Sequence, residues 1–160
     1  MKSLKFLFVA VLAAFVFVSC EQPAKYYEGP IVINWGDAAD VNGKTFEIGM
    51  ANWEDEFQLV AHVELSNATS EAKTFTLKEV RNYDLADAFS AVCINQCMSS
   101  NGQNEQLWEI GTVEAGEVLG ISLDLAPYVE EAKVFNSEFT FSDGTEEVKF
   151  VINYNFIPAE

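Results

Sequence analysis

From Pro30 onward, apolar and polar residues alternate with a period of two. Phe57, Leu59, Ala61, Val63 and Leu65 fall on one side of an extended chain, and Gln58, Val60, His62, Glu64 and Ser66 on the other. Leu119, Ile121, Leu123 and Leu125 alternate with Gly120, Ser122 and Asp124, and Val148, Phe150, Ile152, Tyr154 and Phe156 with Lys149, Val151, Asn153 and Asn155. A period of two is the signature of half-buried β-strands. Shorter segments of the same kind are Ile31–Trp35, Thr45–Ala51, Thr74–Val80, Ala91–Ile94, Gln106–Val113 and Val134–Phe141. Turn residues divide them: Asn42-Gly43, Ser66-Asn67-Ala68, Glu114-Ala115-Gly116 and Ser142-Asp143-Gly144. The last, with Phe139 and Phe141 before it and Val148 and Phe150 after it, predicts a hairpin. No long stretch holds helical spacing, although Asp84–Phe89 has the length of one turn. Seven to nine short strands around one core predict an all-β, antiparallel sandwich; a small lipocalin-like barrel is the alternative.

The amino-terminal segment follows a different rule. Lys2 and Lys5 precede an unbroken apolar run from Phe6 to Val18, 13 residues long. A membrane-spanning helix needs about 20 residues. A basic start, a short apolar stretch and a small residue before the cut form an export signal, which takes no part in the fold. Val18-Ser19-Cys20 places a cysteine directly after the cut, in the manner of the bacterial lipobox, with Phe17 where that motif usually has Leu. The chain therefore divides into a lipoprotein signal peptide, 1–19, a lipid-anchored tether, 20–29, and one β-sandwich domain, 30–160. Lipidation at Cys20 adds two or three acyl chains, enough for stable anchoring. The nine tether residues that follow reach at most ~30 Å from the membrane. The domain's roughly 130 residues suffice for one core.

Charge narrows the partners. The chain carries nine basic and 25 acidic residues, a formal net charge of −16, and Lys2 and Lys5 leave with the signal while no acid does. Nucleic acid is excluded, because phosphate binding needs Lys and Arg. The acidic groups Glu54-Asp55-Glu56, Glu130-Glu131 and Glu146-Glu147 read as solvated loops and exposed strand faces. No calcium-loop spacing is present.

With Cys20 acylated, Cys93 and Cys97 remain. Outside the cytoplasm so close a pair is expected to oxidise to a disulfide. Four residues of straight strand span ~13 Å, beyond the Cα separation a disulfide tolerates. A strand must therefore end near Cys93, with a tight turn before Cys97. A redox role is disfavoured by the absence of Cys-x-x-Cys and of a βαβ setting.

The cysteine anchor, the acidic tether and the all-β body resemble the small immunoglobulin-like lipoproteins of Gram-negative anaerobes. The likeness rests on Val60-Ala61-His62-Val63-Glu64-Leu65-Ser66-Asn67, a strand running into a polar turn, on Val113-Glu114-Ala115-Gly116-Glu117, and on the hairpin around Ser142-Asp143-Gly144. It implies an immunoglobulin-like β-sandwich of unknown function at the cell envelope, in the outer membrane. It brings no shared catalytic residues. The close cysteine pair is not a feature of that class.

Catalysis has little to build on. His62 is the sole histidine, no Gly-x-Ser-x-Gly elbow accompanies it, and a zinc site lacks a second histidine, so no metal or cofactor is expected. Two function classes remain. One is a non-enzymatic interaction or structural module contacting an envelope protein. The other is a carbohydrate- or small-ligand-binding lipoprotein, for which Trp35, Trp53 and Trp108 are the candidate aromatic platform. Trp53 is the best exposed candidate, being flanked by Asn52 and Glu54. Asn67-Ala68-Thr69 fits a glycosylation sequon but reads as a turn.

Overall fold

A computed structural model of the chain describes residues 31–35, 38–39, 41–54 and 58–158. The signal segment, the tether with Cys20, and Asp55, Glu56 and Phe57, the last expected to open the alternating face, lie outside the described residues. Among the described residues there are twelve strands: β1 (Ile31–Trp35), β2 (Ala38–Ala39), β3 (Lys44–Ile48), β4 (Trp53–Glu54), β5 (Gln58–Asn67), β6 (Lys73–Arg81), β7 (Ala88–Cys93), β8 (Cys97–Ser99), β9 (Glu105–Val113), β10 (Val118–Pro127), β11 (Lys133–Ser142) and β12 (Glu147–Phe156). The excess over the expected seven to nine comes from β2, β4 and β8, which are two or three residues long and carry too little pattern to read. Asp84–Phe89 holds no helix. Asp87 N–H closes a turn on Asp84 O, and β7 begins at Ala88.

Two sheets face each other. The first runs β2-β1-β5-β10-β7-β8, with β4 beside β5; the second runs β3-β12-β11-β6-β9. The ends of each sheet do not meet, so the fold is an open, immunoglobulin-like sandwich and not a barrel. The chain changes sheet between β2 and β3, β3 and β4, β5 and β6, β6 and β7, β8 and β9, β9 and β10, and β10 and β11. One pairing departs from the antiparallel expectation: β3 lies parallel to β12, with Thr45 opposite Val151 and Glu47 opposite Asn153. Asn42 and Gly43, expected as a turn, set this register; Gly43 N–H donates to Lys149 O, and Lys149 N–H to the Asn42 side chain.

The alternation explains the packing. Leu59, Ala61, Val63 and Leu65 of β5, and Ile121, Leu123 and Leu125 of β10, are buried from one side. Phe75 and Leu77 of β6, Phe135, Phe139 and Phe141 of β11, and Phe150, Ile152 and Tyr154 of β12 close on them from the other. The Phe150 ring lies 5.6 Å from Phe139 and 6.2 Å from Phe141, both stacked. Each such ring contributes about 1.5–3 kcal/mol by leaving water. The Tyr154 hydroxyl crosses the gap and donates to Leu123 O at 3.1 Å, so its polar end is satisfied within the core.

Two turns are locked by side chains. Asn67, wholly buried, donates to Glu71 O and Val113 O, both at 2.8 Å, and accepts from Thr69 N–H at 3.0 Å. It joins loops 46 residues apart, and its amide nitrogen is fully engaged, so the sequon is a buried turn. In the β11–β12 hairpin, Asp143 Oδ1 accepts from Thr145 N–H, Thr145 Oγ1 and Glu146 N–H. Lys73 Nζ stands 3.4 Å from its other oxygen. Burial alone would raise this carboxyl, but the hydrogen bonds prevail and hold it well below the usual carboxylate range.

Candidate functional site

The outward face of the first sheet carries the chemistry-bearing residues. In register across β5, β10, β7 and β8 stand His62, Ser122, Cys93 and Cys97. Beside them is a pocket of about 520 Å³, lined by His62, Glu64, Cys93, Ile94, Gly120 and Ser122. Gly120 contributes no side chain there, which leaves room between Glu64 and the β7–β8 turn. His62 does not serve Ser122. Its Nε2 lies 3.0 Å from Glu54 Oε1, and both groups are exposed. A surface pair of this kind contributes at most about 1 kcal/mol. Ser122 sits in a strand paired on both sides, so its local backbone belongs to the ladders and forms no oxyanion pocket.

Cys93 and Cys97 form a disulfide with Cα atoms 3.9 Å apart. β7 ends at Cys93 and β8 begins at Cys97, with the two residues directly opposite, so the chain turns between them. Asp124, one strand over, brings Oδ2 to 3.2 Å from the Cys93 sulfur.

The tryptophans do not assemble a platform. Trp108 is 3% exposed and belongs to the core. Trp35 is half-buried and stacks on Phe46 at 4.5 Å, and Trp53 is half-buried against Phe156 at 5.8 Å. Trp35 and Trp53 bridge the two sheets, because an aromatic near a sheet edge gains more from the neighbouring sheet's rings than from water. Tyr83 packs edge-on to Phe135. Tyr128 is the exposed large aromatic among the described residues.

A buried polar cluster escaped the sequence reading. Glu79 and Arg81 occupy the inward phase of β6 after Phe75 and Leu77, and each is 1% exposed. Ser90 of β7 donates to Glu79 Oε2 at 2.8 Å, and Ser137 of β11 to Oε1 at 3.0 Å. Arg81 Nε lies 4.0 Å from Glu79, and its guanidinium donates to Gln103 O. Burial raises the Glu79 carboxyl above its ordinary value, against the hydrogen bonds and the Arg81 charge. Burial also raises the phenol of Tyr83 beside it. Enclosed by both sheets, the cluster has no route for a substrate; it ties β6 to β7 and β11. The one signal in the sequence was two charged residues in an apolar phase.

The second sheet presents polar groups outward. Asn82 donates to Asn136, Asn136 to Asn153, and Asn153 and Asn155 to Glu47, all at 2.7–2.8 Å. The amides of Asn155 and Asn153 lower the Glu47 carboxyl. Among the described residues, β9 stands at one margin of this sheet and pairs with β6 alone, which leaves its other side unpaired along a nine-residue strand. Leu107 on β9 is 61% exposed, while the next residue, Trp108, points inward.

No protein-family model and no curated protein matches the chain. Among solved structures, the N-terminal domain of PorA is similar with a TM-score of 0.52 at 22% identity, covering 78% of this chain and 96% of that one. An ASH/PapD-like domain of human CEP192 gives 0.42 at 11% identity, covering 100% and 99%. The collagen-binding domain of a Staphylococcus aureus adhesin gives 0.31 at 14% identity, covering 65% and 100%. The PorA likeness shows a shared sandwich fold.

Proposed function

We propose that this chain is a non-enzymatic, lipid-anchored protein of a bacterial cell envelope, held in the outer membrane through acylated Cys20. Its sandwich is an interaction module that a partner protein engages by adding an extended segment to β9. The observation that carries this reading is the open edge of β9. Main-chain N–H and C=O groups along such an edge supply affinity for an added strand, and outward side chains select it. Leu107 offers an apolar anchor, with exposed Glu109 on the same face, while Glu105 beyond it is paired with Lys78 Nζ at 2.8 Å. The Glu109 carboxylate favours a partner segment with a basic residue beside its apolar ones. A glycan partner is less well supported, since the expected aromatic platform is taken up by packing.

A photo-crosslinking residue at Leu107 of the full-length protein, irradiated in the cells that make it, tests the assignment. A discrete protein adduct at 107, absent when the crosslinker stands at Thr145 on the distant hairpin, supports β9 docking. Equal labelling at both positions, or no adduct at 107, contradicts it.

A further inference from the structure

The β7–β8 neck holds three metal-ligating groups in one place. Cys93 Sγ, Cys97 Sγ and an Asp124 carboxylate oxygen all lie within 4.8 Å of one another. Asp124 is buried, Cys93 half-buried and Cys97 exposed. While the bridge is intact, neither sulfur has a thiolate to offer. We propose that reduction of Cys93–Cys97 converts this neck into a binding site for a thiophilic divalent cation of the zinc class, held by both thiolates and the Asp124 carboxylate.

The ligand set suits the ion. Zinc takes Cys and carboxylate ligands in a tetrahedron, and cysteine pairs spaced Cys-x2–4-Cys are characteristic of its sites. Cys93-Ile94-Asn95-Gln96-Cys97 has three intervening residues on a hairpin. Two zinc-bound thiolates sit about 3.8 Å apart, as follows from Zn–S bonds of about 2.3 Å at the tetrahedral angle. Cys97, exposed at the start of a three-residue edge strand, reaches that separation by rotating its own side chain. Asp124 needs no rearrangement: it already stands 3.2 Å from the Cys93 sulfur, as its diagonal neighbour on the same sheet face. Three protein ligands leave the fourth position to water.

The chemistry balances with a dithiol as reductant. A reductant thiolate attacks the exposed Cys97 sulfur and breaks the Cys93–Cys97 bond, releasing the Cys93 thiolate, which takes a proton from water. The reductant's second thiol closes its own disulfide and releases Cys97. Two electrons and two protons thus pass to the protein, and the reductant is oxidised to a disulfide. Metal binding then displaces the two thiol protons to solvent. The bridge is a gate: the oxidised hairpin excludes the ion and the dithiol admits it.

The test uses the full chain carrying Cys20→Ser, so that Cys93 and Cys97 supply the only thiols. It is reduced with a phosphine and titrated anaerobically with Co²⁺, then with Zn²⁺. The expected result is one Co²⁺ per chain, a thiolate-to-cobalt charge-transfer band, and displacement by Zn²⁺. The oxidised protein and the Cys93→Ser/Cys97→Ser variant show no band. Asp124→Asn weakens binding at least about tenfold. X-ray absorption of the zinc form, reporting two sulfur ligands with oxygen neighbours, checks the ligand set without relying on the Asp124 variant's fold. Binding by the oxidised chain equal to the reduced one, no binding by the reduced chain, or unchanged affinity in a folded Asp124→Asn protein overturns the proposal.

Discussion

Replacing Glu79 by Ala is the sharpest test of how the two sheets are held in register. The carboxylate accepts from Ser90 on one sheet and Ser137 on the other, and it is the nearest counter-charge to the buried Arg81. Removing it leaves two buried hydroxyls without an acceptor, each a loss of about 1–3 kcal/mol if unrelieved. It also leaves a cation that is 1% exposed with the Gln103 carbonyl as its remaining neutral partner. Breaking a buried pair from one side costs about 3–5 kcal/mol. A domain of this kind has about 5–15 kcal/mol in total, so Glu79→Ala removes a large share. With an m-value of about 2 kcal/mol/M, a loss of 4 kcal/mol lowers the urea midpoint by about 2 M. Fluorescence of buried Trp108 reports the transition. Replacing both members together, Glu79→Leu with Arg81→Met, recovers most of the loss, because no charge is then left without a partner. A Glu79→Ala midpoint near the wild-type value, or strictly additive losses in the double variant, refutes the reasoning.

The remaining predictions concern pH, loops and the bridge. Glu79 has a raised folded-state pKa, so the proton-linked part of its stabilisation, over and above its hydrogen bonds and its pairing with Arg81, is fully present below its ordinary value of 4.5 and is lost as pH rises through the folded value; Glu79→Gln should flatten that arm of a pH–stability curve. Asp143 has the opposite sign: its folded pKa is depressed, so its contribution is present above its ordinary value of 3.8 and disappears as pH falls toward the folded value. Acid titration by circular dichroism should show Asp143→Asn losing this dependence. Asn67→Ala strips partners from two loops and should lower stability by about 2–3 kcal/mol in denaturant melts. Reducing Cys93–Cys97 reopens a very small loop and should cost only about 2 kcal/mol, leaving a folded protein with a modestly lower Tm; unfolding on reduction would show that the bridge holds more than its hairpin.

Period-two alternation carried most of the fold, because each long strand lies between one core and solvent. β5, β10 and β12 differ from their expected spans by at most two residues at either end. Where both faces are covered the rule weakens: in β7, Ser90, Ala91 and Val92 are all buried, and the expected strand began three residues late. The parallel β3–β12 pairing depends on contacts more than 100 residues apart and left no local trace. The cysteine geometry was legible because chain length alone forbids a straight strand between bridged residues. The reach of Asn67 was not, because a turn-forming Asn looks the same whether its amide meets water or a carbonyl 46 residues away. Each tryptophan read first as a core filler, which Trp108 is; the degree of exposure of Trp53 was not legible, because polar neighbours in sequence, Asn52 and Glu54, do not decide which side of the chain a ring takes.

Metabolic labelling with radiolabelled palmitate tests most directly whether the sandwich works from a membrane. The wild-type protein should incorporate the label and fractionate with the outer membrane, while Cys20→Ser should do neither. An unlabelled wild-type chain, or equal labelling of the Cys20→Ser variant, would contradict a lipid-anchored module.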